Sequence, residues 1–517
     1  MTMQNINLGA QANDGSGDNL RTGGEKINQN FLELDTRLTT VEQGGTVDLA
    51  PVEQRVTDLE NEQLTQNTAI AALDTRLTAE EGQTVREIPV GGEPGQTLIK
   101  NSATDGDVVW QTITLEGAGG TTNVLTNRKF GRYKLFTPAD AGLPFTTQSL
   151  HELETEFYAV RIAIPNLAAV AIPGVKVMVS VGTDFEGGHW ATFPNLLGGT
   201  WSASQTIELA AQVNANVASM TYTDLFVLKS IPRTDGGARP MIGIRIEFPA
   251  GVQITCPYND FYGWRAMTEF VRDARPMRAS SQQVDGVTTP ANYTTTASVD
   301  TNTCIPSIEY YTVKSGKQLM FVGDSTVEGS GGSVRAYGSF QRSAMYVSTP
   351  ENPVEYYNCG LHGLGSAVYQ KTIEVHAPDV LPTHLFYYPL SVNDIPVVGG
   401  MNDATYANSY NGLAYALSEA KKQKVIPQIV IFGSLPYNTT FKNSGAADSK
   451  RTAFNTWLSN FTGVYFLDGY SEVLNGDVVD GQITIAAGKT NDGVHPNDAG
   501  YEDLRNQVVA PFIQALI

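Results

Sequence analysis

Residues 319–325 read Leu319-Met-Phe-Val-Gly-Asp-Ser325, four apolar residues running straight into a glycine, a carboxylate and a hydroxyl. A short unbroken apolar run closed by turn residues is the pattern of a strand buried on both faces of a parallel sheet. Four more such runs follow, at 354–357, 385–390, 429–432 and 464–467. Between them lie helical seams, for example Tyr406, Tyr410, Leu413 and Leu417 with Asp403 as N-cap. The last seam carries Tyr501, Leu504, Val508 and Phe512 on one face. Strands alternating with helices from Lys317 onward predict an α/β three-layer sandwich with a flavodoxin-like parallel sheet over residues 311–517.

Ligands of such a sheet sit outside the carboxyl ends of its strands, so the chemistry is sought there. The first strand leads into Gly323-Asp-Ser325, the second into Asn358-Cys-Gly360-Leu-His-Gly363 and the third into Ser391-Val-Asn393-Asp394. Asp492-Gly-Val-His495-Pro496 stands just before the last helix. Each residue alone is commonplace: serine caps helices, asparagine closes turns, Gly360 could merely supply a positive φ, and Asp often neighbours His. Their order, each at a strand end or at the start of the last helix, predicts a single pocket suited to acyl transfer. A serine hydroxyl becomes a useful nucleophile only when a base within hydrogen-bond reach takes its proton. His495 is the candidate base, and Asp492, one tight turn earlier, would fix its tautomer and favour the imidazolium. The N–H groups of Ser325 and Gly360 and the side-chain NH₂ of Asn393 would supply an oxyanion hole.

This arrangement resembles the SGNH (GDSL-type) hydrolase family, whose four blocks contribute Ser, Gly, Asn and His in that order. The resemblance covers residues 316–517 and is most specific at Asp492-Gly-Val-His-Pro-Asn-Asp-Ala-Gly-Tyr501. It implies that Ser325 is the nucleophile, that Gly360 and Asn393 complete the oxyanion hole, and that Asp492 and His495 complete the triad. Thr326 departs from the leucine of the eponymous motif. Ser391 replaces the glycine usual two before the third-block Asn and is expected to narrow the pocket. Competing motifs fail, because no serine lies in G-x-S-x-G and there is no H-E-x-x-H or C-x-x-C, so neither a cofactor nor a metal is expected. Gly488-Lys489-Thr490 ends like a P-loop, but Ile483 occupies the place of its first glycine. His362, beside the second-block turn, reads equally as a substrate contact and as a satisfied loop residue.

Upstream the pattern changes. Residues 113–310 hold short apolar or alternating runs between Gly, Pro and Asn clusters, as at 158–164, 175–181, 241–248 and 310–313, and predict a β-sandwich. The aromatic group Tyr258, Phe261, Tyr262 and Trp264 could stack on sugar rings but reads first as core, as does His189-Trp190. Further upstream, 9–25 reads as a loop or attachment segment, and Ile27, Phe31, Leu34, Leu38 and Val41 form a heptad seam. Gly44-Gly45 interrupts it. A second seam runs Val52, Val56, Leu59, Gln63, Gln66, Ile70, Leu73 and Leu77. With little else to bury against, both predict an inter-chain coiled coil over 26–90, a helical hairpin within one chain being the alternative. Residues 91–112 predict a pair of short strands.

The opening (Ile6-Asn-Leu-Gly, then Asn13 to Phe31) and the unit from Gly95-Gln-Thr-Leu to Gly106-Asp-Val-Val-Trp110 look like segments of bacteriophage tail fibre and tailspike proteins. That resemblance implies a homotrimer attached to the phage tail through residues 1–25. Such a particle component would be made in the host cytoplasm and act at the bacterial surface on a polysaccharide, capsule or O-antigen. The two resemblances together imply a polysaccharide O-deacetylase. A fibre that only holds the glycan, and a lipid or aryl esterase, are the alternatives; the small polar loop 326–333 disfavours a large acyl groove.

Composition agrees. At 517 residues the chain has room for about three folding units. A formal charge of −19 speaks against nucleic acid or an anionic membrane as partner. The most apolar stretch, 164–181, is broken by Pro165, Pro173 and Lys176 and spans no membrane. The start lacks a basic and then apolar leader, so no Sec signal is expected. Cys256, Cys304 and Cys359, odd in number and far apart, make no disulfide framework.

Overall fold

The computed structural model describes residues 20–42, 96–100, 108–112, 123–138, 142–182, 201–233, 237–258, 275–277, 304–333, 336–394, 403–423, 426–438, 445–479 and 481–516. The chain divides into two compact units, 1–113 and 114–517.

In the first unit, helix α1 (Leu20–Glu42) carries the first predicted seam. It begins inside the stretch expected to be loop and runs through Gly23 and Gly24. Glycine inside a helix costs only about 1 kcal/mol, so the leucine- and threonine-bearing turn ahead of the seam is drawn into it. Ile27, Phe31, Leu34 and Leu38 are 43–66 % exposed together with Leu32, an apolar stripe left uncovered among the described residues. The second seam, the Gly44-Gly45 break and most of the attachment segment lie outside the described residues. Strands β1 (Gln96–Lys100) and β2 (Val108–Thr112) pair antiparallel with Leu98 opposite Trp110, the hairpin expected from the turn residues between them.

The second unit opens with two antiparallel five-stranded sheets. The first consists of β3 (Asn123–Asn127), β6 (Ala159–Asn166), β9 (Ser219–Tyr222), β10 (Phe226–Val227) and β14 (Ser307–Thr312). The second holds β5 (Phe145–Glu152), β7 (Ile172–Gly182), β8 (Gln205–Leu209), β11 (Met241–Phe248) and β13 (Arg275–Met277). A small ladder joins β4 (Tyr133–Phe136) to β12 (Ile254–Pro257). Alternate residues of both sheets (Val160, Ile162 and Ile164; Val175, Val177 and Val179; Ile242, Ile244 and Ile246) meet in one core, as the period of two requires.

The rest is the expected α/β arrangement. Strands β15 (Lys317–Gly323), β16 (Val354–Gly360), β17 (His384–Tyr387), β18 (Gln428–Ile431) and β19 (Tyr465–Phe466) form a wholly parallel sheet in the order β16-β15-β17-β18-β19. Successive residues of β15 feed two cores. Leu319 and Phe321 pack with Phe340 of α3 (Ser339–Val347), and with Tyr501 of α7 (Asp498–Leu504). Met320 and Val322 pack with Tyr369 of α4 (Ser366–Val380), Leu413 of α5 (Asp403–Lys421) and Phe454 of α6 (Gly445–Ser459). Helix α2 (Ser325–Glu328) is a single turn after β15. The last helix departs from the simple seam. It passes through a π turn at Arg505–Val509 before resuming at Ala510–Gln514, and buries Val509 and Ile513 while Val508 and Phe512 lie at the margin of the core. One extra residue in the turn rotates the buried face by one position.

The two parts of this unit are sewn together along the edge of the parallel sheet. After β3 the chain runs beside β16 as an additional parallel strap: Arg128 N–H donates to Tyr356 O (3.1 Å), and Asn358 N–H donates to Arg128 O (2.9 Å). Asn358 Nδ2 donates to Lys129 O (3.0 Å), and Gly131 lies against Gly360 so closely that a Cβ there would stand 1.9 Å from the Gly360 oxygen. The Arg128 side chain, buried, donates to Phe130 O (2.8 Å) and Gly131 O (2.9 Å) and lies over the Tyr133 and Tyr357 rings. A sheet edge that would otherwise expose unpaired N–H and C=O groups is thereby closed.

Candidate active site

Ser325 opens α2 at the carboxyl end of β15. Its predecessor Asp324 is the N-cap, accepting the Thr326 N–H at 2.8 Å, which turns the chain sharply and leaves the serine at the first helical position. Among the described residues the Ser325 N–H has no acceptor, and the residue is buried to 2 % exposure. Asp324, wholly buried, also accepts from Ser391 Oγ (2.9 Å) and thus ties the end of β15 to the turn after β17. Burial pushes its carboxyl up, and the hydrogen bonds from Thr326 and Ser391 work against that shift.

The Asp492–His495 turn brings the remaining groups to the serine. His495 Nε2 stands 2.8 Å from Ser325 Oγ, and Nδ1 stands 2.6 Å from Asp492 Oδ2. Oδ1 of Asp492 accepts the backbone N–H groups of Val494 (2.9 Å) and His495 (2.8 Å), so the carboxylate is oriented by the turn it belongs to. Partial burial raises its pKa, but the His495 ring and these N–H donors outweigh burial and hold it well below the usual carboxylate range. Asp492 is therefore an acceptor at neutral pH and fixes the ring with Nδ1 protonated and Nε2 facing the serine. Gly331, in the left-handed region (φ 101°), lets the polar loop after α2 close on this histidine; a Cβ there would lie 2.4 Å from the His495 Cβ.

The expected oxyanion donors are disposed less simply. Asn393, in the single 3₁₀ turn Val392–Asp394, donates both Nδ2 protons within the protein, to Leu364 O (3.0 Å) and Ser391 Oγ (3.2 Å). Its amide is thereby held in place, and one of these bonds must yield for it to reach an oxyanion. Gly360, expected to give its N–H to the oxyanion, has that N–H engaged elsewhere in this structure. Its N–H donates to Asn358 Oδ1 at 2.9 Å, and its Cα is wedged between Gly131 and Glu328. Its role here is close packing, since a Cβ would lie 2.2 Å from the Glu328 nitrogen. Gly363, three residues on and in the left-handed region (φ 71°), keeps an N–H without a protein acceptor among the described residues.

Ser391 also differs from expectation. It is fully buried; besides donating to Asp324 it accepts from Asn393 N–H (3.0 Å), so it braces the site from below and does not narrow a pocket. His362 is satisfied: its Nδ1 lies 2.9 Å from Ser330 Oγ and 3.5 Å from the buried Glu328 carboxylate. Ser330 Oγ in turn donates to Glu328 at 3.0 Å. The His362 ring lies nearly parallel to that of His495, centroids 6.0 Å apart. Glu328, three residues after Ser325 on the same short helix, is the one polar signal in the loop that could have exposed this cluster. Tyr258 and Arg132 reach the site from the β-rich part; the aromatic group around Tyr258 is the one sequence signal for it, as a residue that could stack on sugar, and no signal points to Arg132. Tyr258, expected in a core, is 37 % exposed, with its ring 5.8 Å from that of His362. Phe261, Tyr262, Trp264 and His189-Trp190 lie outside the described residues. Among the described residues no cluster of His, Cys, Asp or Glu could hold a metal, and no helix is long and apolar enough to cross a membrane.

Residues 321–502 match the GDSL-like lipase/acylhydrolase family. Solved structures similar to this chain include a GDSL-like lipase from Bacteroides thetaiotaomicron (17 % identity, 39 % of this chain and 89 % of that one, TM-score 0.30). The lipase/acylhydrolase from Enterococcus faecalis matches at 14 % identity over 39 % of this chain and 96 % of its own, TM-score 0.29. A family 3 carbohydrate esterase from Clostridium thermocellum matches at 19 % identity over 39 % and 99 %, TM-score 0.26. No curated protein matches the chain.

Proposed function

We propose that this chain, whose residues 321–502 make a GDSL-like acylhydrolase domain, is a serine esterase that removes O-acetyl groups from a bacterial surface polysaccharide. The observation that carries the esterase reading is the unbroken line Asp492 Oδ2–His495 Nδ1 (2.6 Å) and His495 Nε2–Ser325 Oγ (2.8 Å) at a strand end. Ser325 Oγ attacks the ester carbonyl while its proton passes to His495 Nε2. The tetrahedral oxyanion is met by the free N–H of Ser325 and by Asn393 Nδ2. His495 then returns the proton to the departing alcohol oxygen, leaving an acyl-serine. Water attacks that ester with His495 again as base; the carboxylic acid leaves and the serine recovers its proton. Asp492 stays ionised and favours the imidazolium each time it forms.

The setting is read from the other regions. In this reading the two antiparallel sheets are a β-sandwich carried in one unit with the esterase. The exposed stripe Ile27, Phe31, Leu34 and Leu38 of α1 suits an inter-chain coiled coil, and the opening residues resemble phage tail fibres and tailspikes. In this reading the protein is a homotrimer on a virion, and three weak sites on one repetitive glycan gain avidity.

The test is hydrolysis of p-nitrophenyl esters from acetate to octanoate and acetate release from host polysaccharide, with Ser325→Ala alongside. Acetate hydrolysis that falls with chain length and vanishes in the variant is expected. Equal, negligible rates for both proteins on every substrate would refute the esterase. Sedimentation of the full chain as a monomer would refute the trimer.

A further inference from the structure

The two parts of the second unit meet at His362, the neighbour of the catalytic histidine, and what the β-rich part brings there has chemical consequences. The strap beside β16 ends at Arg132, whose Nη1 donates to the His362 carbonyl. The same guanidinium lies 3.8 Å over the ring of Tyr258, the residue after β12. Rings therefore succeed one another from the catalytic histidine, with His495 to His362 at 6.0 Å and His362 to Tyr258 at 5.8 Å, and Arg132 packs against both the Tyr258 ring and the His362 backbone. No carboxylate among the described residues pairs with Arg132, in a chain of formal charge −19.

Which half of an ester would lie here follows from the proton. The alcohol oxygen must leave with the proton held on His495 Nε2, so the alcohol half of the substrate occupies the side on which His495 and its neighbours stand. We infer that Arg132 and Tyr258 form the alcohol-side subsite of the esterase proposed above, and that it takes a sugar ring bearing a carboxylate, an O-acetylated acidic saccharide. Tyr258 is 37 % exposed with Arg132 stacked over its ring, and what is left of that ring can meet the C–H face of a pyranose while its hydroxyl meets the polar edge. Arg132, anchored by a carbonyl and by the tyrosine ring, is a rigid fork suited to a carboxylate. A local cation also overcomes the repulsion that a strongly acidic protein exerts on a polyanionic glycan. Both residues are specificity-determining; neither takes part in the proton transfers.

The inference rests on the esterase reading, and the experiment separates the two. Three acetate esters are compared by kcat/KM: positional mixtures of mono-O-acetylated methyl glucuronide and mono-O-acetylated methyl glucoside, and ethyl acetate. The wild type is expected to favour the glucuronide over the glucoside by about tenfold or more, the scale of one charge-assisted contact. Arg132→Gln should bring that ratio close to one, while Arg132→Lys keeps part of it. Tyr258→Ala should lower both sugar esters relative to ethyl acetate several-fold. A wild type that cleaves ethyl acetate but does not distinguish the two sugars overturns the subsite alone. So does Arg132→Gln if it slows all three esters equally, because a residue acting only through the His362 carbonyl would do that. A wild type that cleaves none of the three overturns the subsite, and if host polysaccharide also yields no acetate it overturns the esterase reading as well.

Discussion

Replacing Gly131 by alanine tests whether the strap of the β-rich part is built into the catalytic sheet. A Cβ at this position would stand 1.9 Å from the Gly360 carbonyl oxygen, 2.5 Å from its nitrogen and 2.7 Å from its carbonyl carbon. All three atoms are backbone, so no side chain can swing aside, and the strap must withdraw by well over an ångström. Overpacking typically costs about 1–3 kcal/mol, and more where nothing can yield. Withdrawal also strains the bonds that hold the strap: Arg128 N–H to Tyr356 O, Asn358 N–H to Arg128 O and Asn358 Nδ2 to Lys129 O. At about 1 kcal/mol each, loss of even one or two puts the total near 3–5 kcal/mol. Gly174→Ala is the control. Its φ is 77° and nothing lies within 4 Å of the new methyl, so only left-handed strain of about 1–2 kcal/mol is expected. With about 2 °C per kcal/mol for a unit of this size, Gly131→Ala should melt about 6–10 °C below wild type and the control about 2–4 °C. Turnover of a small acetate ester should also fall in Gly131→Ala, since the turn it displaces leads to His362 and Gly363. Equal melting temperatures for the two variants would refute the close docking of strap and sheet.

Asp492→Asn should lower kcat by about 10²–10⁴ through loss of the ring's tautomer and orientation. The native carboxylate titrates below its unfolded value, so its ionised form stabilises the fold at neutral pH and that contribution is lost as pH falls through the native pKa. The stability gap between wild type and variant should therefore narrow on acidification below about pH 4, as followed by thermal melts; a gap that widens there would contradict the assignment. Ser391→Gly removes the donor to Asp324 and the acceptor of Asn393, and should cost about 1–2 kcal/mol in urea unfolding with a lower kcat at little-changed KM. Cys256, Cys304 and Cys359 are buried, and burial pushes the Cys359 thiol up to about 11 against the pull of Arg128. Iodoacetamide should leave all three unmodified in the folded protein and label them on unfolding, which peptide mass mapping will read.

The sequence by itself determined whatever rests on local pattern. The first four apolar runs of the α/β part became buried strands, because a strand covered on both faces leaves no room for polar side chains, while the fifth, at 464–467, is a two-residue edge strand with Tyr465 exposed. Strand ends carried Ser325 and Asn393, and a tight turn carried Asp492 and His495, because a residue's place along its own element is a one-dimensional property. What needed the third dimension was every partner chosen from another element. Gly360 and Gly363 look alike as letters, and only the approach of Gly131 and Glu328 shows that the first is a packing residue with its N–H already given to Asn358. Ser391 looked like a side chain intruding on a pocket until β15 and β17 were set side by side, which put its hydroxyl on Asp324. The π turn moved the buried face of the last helix by one residue, a shift invisible to a seam counted at regular spacing. Above all, Arg132 and Tyr258 lie more than a hundred residues from the strand end that their contacts serve; the aromatic cluster marks Tyr258 without saying where it would lie, and nothing near Arg132 marks it. They reach His362 because the parallel sheet has an open edge, and unpaired backbone groups at that edge are satisfied by the strap that delivers them.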